Sequence, residues 1–289
     1  VTATSGAAGT DPAGTDTERL RALWSRDLPA FGLWSALADP VVAELLGTGP
    51  FDYLCLDLQH GFGSLATLPT VLGAMRAGGR APLVRVPWNE PAGIMRALDS
   101  GAAGVVVPMV SSPQEAAAAA AACRFPPNGS RSWGPFWGDV TGRAVPAPRV
   151  QDDGVLCLVM VETAAGLAAV EEIARVPGVD GIYVGPNDLA LTTGHGRTTY
   201  RESPEIGAMV DRVVAACGAA GIVAGLHCSD VAMAAHWAQR GVRMLTVAQD
   251  SGLLRGALRR TWRDLDAVTA LSSSRGAGAL PDGDDRSAY

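Results

Sequence analysis

Residues 104–116 read GVVVPMVSSPQEA. The first seven are apolar throughout, with no polar alternation, which suits a strand covered on both faces in a parallel sheet. The character then changes at once. Ser112, Pro113 and Glu115 form a capping box with proline at the first helical position, so a helix starts over the Ala-rich residues that follow. A strand and a helix joined by a short loop make one βα unit.

The same unit recurs in both directions along the chain. Upstream are FGLWSAL (31–37), YLCLDL (53–58) and APLVRV (81–86). Downstream are VLCLVMVE (155–162), DGIYVG (180–185), GIVAGLHC (221–228) and VRMLTVA (242–248). Ser203-Pro204-Glu205 and Ser229-Asp230 are further helix starts of the same kind. Eight β units alternating with helices predict a (β/α)₈ TIM barrel rather than a doubly wound sheet. No GxGxxG or GxxxxGK[ST] follows the first strand, which argues against a dinucleotide or P-loop site.

The 289 residues carry 23 basic and 29 acidic side chains, for a net charge of −6. Without a basic surplus the chain is not expected to bind nucleic acid. No apolar run is long enough to span a membrane, and residues 1–17 lack the basic and apolar regions of a secretory signal. Residues 1–17 and 272–289 are small, polar and rich in Gly, Ser and Asp, and are expected to be disordered tails. Between them, 18–271 matches the roughly 250 residues of a single barrel domain. The five cysteines lack the spacing of a zinc or redox site and read as buried, reduced thiols of a cytoplasmic protein. Residues 124–154 form a long connection in which Arg131, Trp133 and Trp137 either shape a pocket or pack against a neighbour. Residues 250–271 form an amphipathic terminal helix.

Active sites of such barrels lie at the C-terminal ends of the strands. The polar residues there are therefore the candidates. The second run ends in Asp57-Leu58-Gln59-His60, and the third carries Arg85. The fifth ends in Glu162, the sixth runs into Gly185-Pro186-Asn187-Asp188, the seventh ends in His227, and the eighth ends near Gln249-Asp250. Glu162 and Asp188 close consecutive strands, so two like charges come close. A divalent cation compensates such a pair, although helix capping or pairing with basic neighbours is the alternative. Arg85 suits a carboxylate or a developing enolate oxygen, or else a structural salt bridge to Asp57 or Glu162. An imidazole oriented by a carboxylate is a general base, and Asp57 and His60 have that spacing; a structural histidine is the alternative. His227 points at the mouth or packs there, while His195 and His236 read as structural.

Taken together, the motifs have an order. GLWSALADPVVAELLGTGPFDYLCLDLQHG, PLVRVPWNEP, VVVPMVSSPQEA, RFPPNGSRSWG, VMVETAAGL, VDGIYVGPNDLA and GLHC follow one another over roughly residues 30–255. In that order, and at strand ends, they resemble the class II, metal-dependent pyruvate aldolases of the HpcH/HpaI aldolase family. The resemblance implies a (β/α)₈ barrel that forms dimers or hexamers, often by exchange of the C-terminal helix. It implies that Glu162 and Asp188 hold Mg²⁺, Mn²⁺ or Co²⁺, which chelates pyruvate or a related 2-oxo acid. It further implies that Arg85 stabilises the enolate and that His60, with Asp57, is the acid–base group. Arg85, Gln59, Met160, Gly185, Pro186, Asn187 and the tryptophan at the Leu33-Trp34 step would contact substrate. The implied reaction is reversible cleavage of a 4-hydroxy-2-oxo acid to pyruvate and an aldehyde.

Three positions depart from the family pattern. Gln59 stands where the family usually has Glu, Met160 where Gln is common, and Asn187 where a small residue is frequent. Met160 makes the surroundings of the metal more apolar. These changes keep open a decarboxylase, an acyl-CoA lyase or a biosynthetic C–C bond-forming outcome. An acyl-CoA substrate would favour a basic patch, and RFPPNGSRSWG offers only Arg124 and Arg131. A non-catalytic barrel that binds a 2-oxo acid is a third reading.

Overall fold

A computed structural model describes residues 17–134, 145–198 and 203–269. Eight parallel strands close into one barrel in sequence order. They are β1 (Ala30–Ser35), β2 (Tyr53–Asp57), β3 (Ala81–Arg85), β4 (Gly104–Val107), β5 (Leu156–Val161), β6 (Gly181–Val184), β7 (Val223–His227) and β8 (Met244–Gln249). Each falls within one of the expected apolar runs or within a residue of it. Closure comes from β1 pairing parallel with β8.

Successive side chains point to opposite faces of a strand, so each strand feeds two cores. Leu33, Leu54, Leu56, Val84, Val105 and Ile182 face outward and pack on the surrounding helices with Leu72, Met75, Ile94 and Trp237. Trp34, Tyr53, Leu83, Leu158, Met160, Tyr183 and Met244 fill the inside. The inner space is shared between large and small residues. A Cβ on Gly32 would lie 2.2 Å from the Tyr53 ring, so β1 must be bare there for β2 to place a tyrosine inside. Below the mouth, Thr246 Oγ1 lies 3.1 Å from the Tyr53 hydroxyl and 2.6 Å from the Tyr183 hydroxyl, which links β2, β6 and β8.

The expected helix starts are capped as read. Ser112 accepts from Glu115 N, Ser203 from Ile206 N and Asp230 from Met233 N. Asp230 rather than Ser229 is the capping residue of the latter helix. The terminal helix runs over Asp250–Thr269 and exposes Leu253, Leu254, Leu258 and Trp262. All five cysteines are buried and none is in a disulfide. Among the described residues no helix is long and apolar enough to cross a membrane. The expected tails lie outside the described residues, except for Thr17. That residue is fully buried and donates its hydroxyl to the Gly154 carbonyl at 2.9 Å, so the last residue of the expected tail is part of the packed fold. Trp137 also lies outside the described residues.

Candidate active site

At the C-terminal mouth of the barrel, one pocket is lined by Trp34, Arg85, Met160, Glu162, Tyr183, Gly185, Pro186, Asn187, Asp188 and His227. It encloses about 310 Å³ of empty space, part of it open to solvent. The space is small and suits a short acid.

Asp57 and Arg85 are paired in register at the ends of β2 and β3. Arg85 donates from Nε to Asp57 Oδ1 at 2.8 Å and from Nη2 to Oδ2 at 2.6 Å. The same carboxylate accepts the backbone N–H groups of Gln59 at 3.0 Å and His60 at 3.2 Å. Burial by itself would raise the Asp57 carboxyl, but the hydrogen bonds and charge of Arg85 outweigh it and hold the group below its usual range. Of the two partners read for Arg85, Asp57 is thus bound at two points. Asp57 does not line the pocket; it holds Arg85, which does. His60 stands exposed on the loop after β2, tied to Asp57 through its backbone. The guanidinium carbon of Arg85 also lies 5.3 Å from the centre of the Trp34 ring, a cation–π distance.

Glu162 is 1% exposed. Its Oε1 accepts the N–H of Met109 at 2.8 Å. Met109 has φ of 60°, the left-handed region that non-glycine residues enter at a cost of roughly 1–2 kcal/mol. Here that conformation accompanies an N–H bound to the carboxylate. Burial pushes the Glu162 carboxyl up to about 7; the Met109 N–H opposes this and the charge of Asp188 adds to it. The two carboxylates are therefore close enough to repel. A Cβ on Gly185 would lie 2.1 Å from Glu162 Oε2, so the carboxylate occupies space that only glycine leaves open. Thr163, the helix cap of the alternative reading, does cap, accepting from Gly166 N at 2.9 Å. Glu162 itself is left facing the pocket.

This donor set fits a hard divalent cation: two carboxylates, Glu162 just past β5 and Asp188, which does not close β6 as expected but stands in the first turn of the helix Pro186–Thr192 after it, one of them raised by burial and the other's charge. Among the described residues no group of three or more His, Cys, Asp or Glu could hold a metal unaided. Water and a chelating substrate would have to complete the shell, which suits Mg²⁺ in particular.

The remaining candidates separate clearly. Met160 lines the pocket and is 2% exposed. Gln59 does not line it, and its buried Oε1 has no partner among the described residues. Arg131 turns away, pairing with Asp99 at 2.9 Å and stacking on Phe125. Arg124 binds Asp180 at 3.1 Å. Both arginines of that segment are thus engaged in structural ion pairs. Asp250 holds the barrel seam: it accepts from Ser35 Oγ, Ala36 N and Leu37 N, each at 3.0 Å. His195 meets Thr193 and His236 meets Trp237 edge-on, as structural histidines.

Of two further contributors, one lay beyond the sequence reading and the other was left open by it. Met109 acts through its backbone and leaves no side-chain signal. His227, open between two readings, lines the pocket and meets Trp34 edge-on at 5.3 Å. Burial, with help from the Arg85 charge, pushes its imidazole down to about 3.

Comparison with known proteins bears on the family. A family model described as HpcH/HpaI aldolase/citrate lyase matches residues 30–257. A hydroxypyruvate/pyruvate aldolase of Rhizorhabdus wittichii is 33% identical over 86% of this chain and 99% of its own length. A 5-keto-4-deoxy-D-glucarate aldolase of Citrobacter koseri is 36% identical over 79% of this chain and 89% of its own. The crystal structure of an HpcH/HpaI aldolase/citrate lyase family protein from Burkholderia cenocepacia superposes with a TM-score of 0.79. It is 33% identical, covering 85% of this chain and 98% of the other.

Proposed function

The chain belongs to the HpcH/HpaI aldolase/citrate lyase family, and from that premise we propose that it is a carbon–carbon lyase cleaving a 4-hydroxy-2-oxo acid to pyruvate, or a related 2-oxo acid, and an aldehyde. The observation that carries this reading is the convergence of Arg85, Glu162 and Asp188 on one small pocket at the barrel mouth.

Glu162 and Asp188 would hold the divalent metal, Mg²⁺, Mn²⁺ or Co²⁺. Bound there, it supplies Lewis acidity at the carboxylate and keto oxygens of the 2-oxo acid. Arg85 adds a fixed positive charge where the enolate oxygen develops, and Asp57 keeps that charge in place. In cleavage, a base takes the proton of the 4-hydroxyl and the C3–C4 bond breaks. The electron pair passes into the enolate, and a proton delivered to C3 completes the 2-oxo acid. We assign the proton transfers to His60, whose loop is anchored to Asp57. Gly185, Pro186 and Asn187 border the substrate, and Met160 gives the pocket an apolar side.

The five buried thiols favour a reducing, cytoplasmic setting. The exposed Leu253, Leu254, Leu258 and Trp262 support a homo-oligomer in which the terminal helix packs on a second copy.

Release of pyruvate from a 4-hydroxy-2-oxo acid, followed with Mn²⁺ and with EDTA, tests the assignment. Release with Mn²⁺ that stops in EDTA is expected, and unchanged release in EDTA would refute the metal sites. His60→Ala should bind Mn²⁺ as the parent does yet lose turnover.

A further inference from the structure

A second groove lies at the opposite end of β6 and β7 from the mouth, where the lyase chemistry does not reach. It encloses about 1220 Å³, part of it open to solvent, between the first helix (Glu18–Trp24), the helix Pro204–Ala220 and the start of β7. One wall is apolar: Trp24, Val214, Ile222 and Val223 line it, and all four are only partly buried. The other wall holds Asp180, just before β6. Arg21 donates Nη2 to its Oδ1 at 3.0 Å, and Arg124 donates Nη2 to its Oδ2 at 3.1 Å. One carboxylate thus answers two guanidinium charges. It also leaves donors over, since Arg21 Nε and Arg124 Nη1 are buried with no hydrogen-bond partner among the described residues. Such donors are rarely left unpaired. Arg124 does not line the groove, whereas Arg21 does, with 42% of its side chain exposed. At the far rim Arg243 is bound at two points by Asp27 and adds no net charge.

We propose that this groove is a second ligand site, remote from the active site, for a monocarboxylate with an apolar tail. The carboxylate meets Arg21, where one positive charge is left over, and the tail covers Ile222, Val223 and Val214. Concave, mostly apolar sites with a few convergent polar groups are where small ligands bind. The surplus of a single charge selects the class. A cation would be repelled, and a phosphate dianion would find only one uncompensated guanidinium, because Arg243 is already matched by Asp27. A short acid without a tail would leave the apolar wall wet.

The site stands independently of the lyase function, and its test does not use activity. Calorimetric Kd values for octanoate, octanamide and acetate are measured in EDTA on the full chain, on Arg21→Gln and on Gly218→Leu. Gly218 lines the groove, and a Cβ there would meet no atom within 4 Å, so a leucine stands in the space the tail would take. Leucine also suits a helix better than glycine, and Arg124 still holds Asp180 in Arg21→Gln, so both variants should fold, which circular dichroism checks. Octanoate should bind the parent, with octanamide and acetate each weaker by about tenfold or more. Arg21→Gln should weaken octanoate by about tenfold or more and bring it level with octanamide, and Gly218→Leu should abolish its binding. No octanoate binding to the parent, as when residues 1–16 fill the groove themselves, overturns the site. So does octanoate binding that neither variant changes, which would place the acid elsewhere.

Discussion

Arg85 and Asp57 face each other in register at the ends of β3 and β2 and meet at two points, both side chains shielded from solvent. Two charges taken out of water this way add little net stability, but removing one strands the other. Asp57→Asn should therefore destabilise the fold by about 3–5 kcal/mol in urea titration. It should also slow turnover, because Arg85 loses its anchor. The Asp57 carboxyl sits below its unfolded value near 3.9. Its contribution is thus full above that pH and fades as pH falls through the folded value, an acid limb that Asp57→Asn should lack.

Glu162 and His227 should act in opposite directions on stability in metal-free protein. Glu162 is raised to about 7, so its contribution is full below its unfolded value near 4.5 and is lost as pH rises through 7. His227 is lowered to about 3, so its contribution is full above its unfolded value near 6.5 and is lost as pH falls. Between about pH 4.5 and 6.5 the slopes, each near 1.4 kcal/mol per pH unit, largely cancel. Glu162→Gln should expose a loss of stability on acidification, and His227→Leu a gain. Urea midpoints for both variants across that window check the signs; parallel profiles would count against both assignments.

Gly185→Ala adds a single carbon where Glu162 Oε2 already stands. The backbone there has φ of −93°, which alanine accepts, so the conflict is with side chains: chiefly the carboxylate, with Met160 Cε at 3.0 Å and Glu162 Cβ at 3.1 Å also tight. Mn²⁺ affinity should fall by about 10–100-fold, the range for disturbing a ligand's support, with little change in circular dichroism. Calorimetric titration with Mn²⁺ measures it.

The barrel was readable because most strand residues are apolar on both faces and several caps follow their strand closely, as in residues 104–116. The gathering of Arg85, Glu162 and Asp188 followed from placing them at strand ends. What the chain order could not reveal was how neighbours share bonds. Asp57 was one of two partners read for Arg85, and the register of β2 with β3, a relation between strands rather than a motif, is what sets it beside the arginine. Met109 contributes a backbone N–H, to which its side chain gives no clue. His227 gains its place from curvature that brings β7 within reach of Trp34 on β1.

Asp250 looks like another acid at the mouth, yet its oxygens satisfy donors on β1 and at the start of the terminal helix. Asp250→Ala would leave those donors without their acceptor just where the barrel closes. Hydrogen bonds to a charged group are worth about 1.5–3 kcal/mol each. A loss on the order of 3 kcal/mol in urea unfolding is expected, with Asp250→Asn intermediate.

If Glu162, Asp188 and Arg85 build an enolate site, the protein must labilise the C3 protons of a 2-oxo acid with no aldehyde present. NMR of pyruvate incubated with the protein in D₂O reads this from the methyl signal. The signal should disappear with Mg²⁺, Mn²⁺ or Co²⁺ and persist in EDTA. Arg85→Ala should slow its loss by about 10²–10³-fold, the usual effect of removing an oxyanion donor. A methyl signal that stays intact with every one of the three ions, for hydroxypyruvate as well as pyruvate, would contradict enolate chemistry at this site.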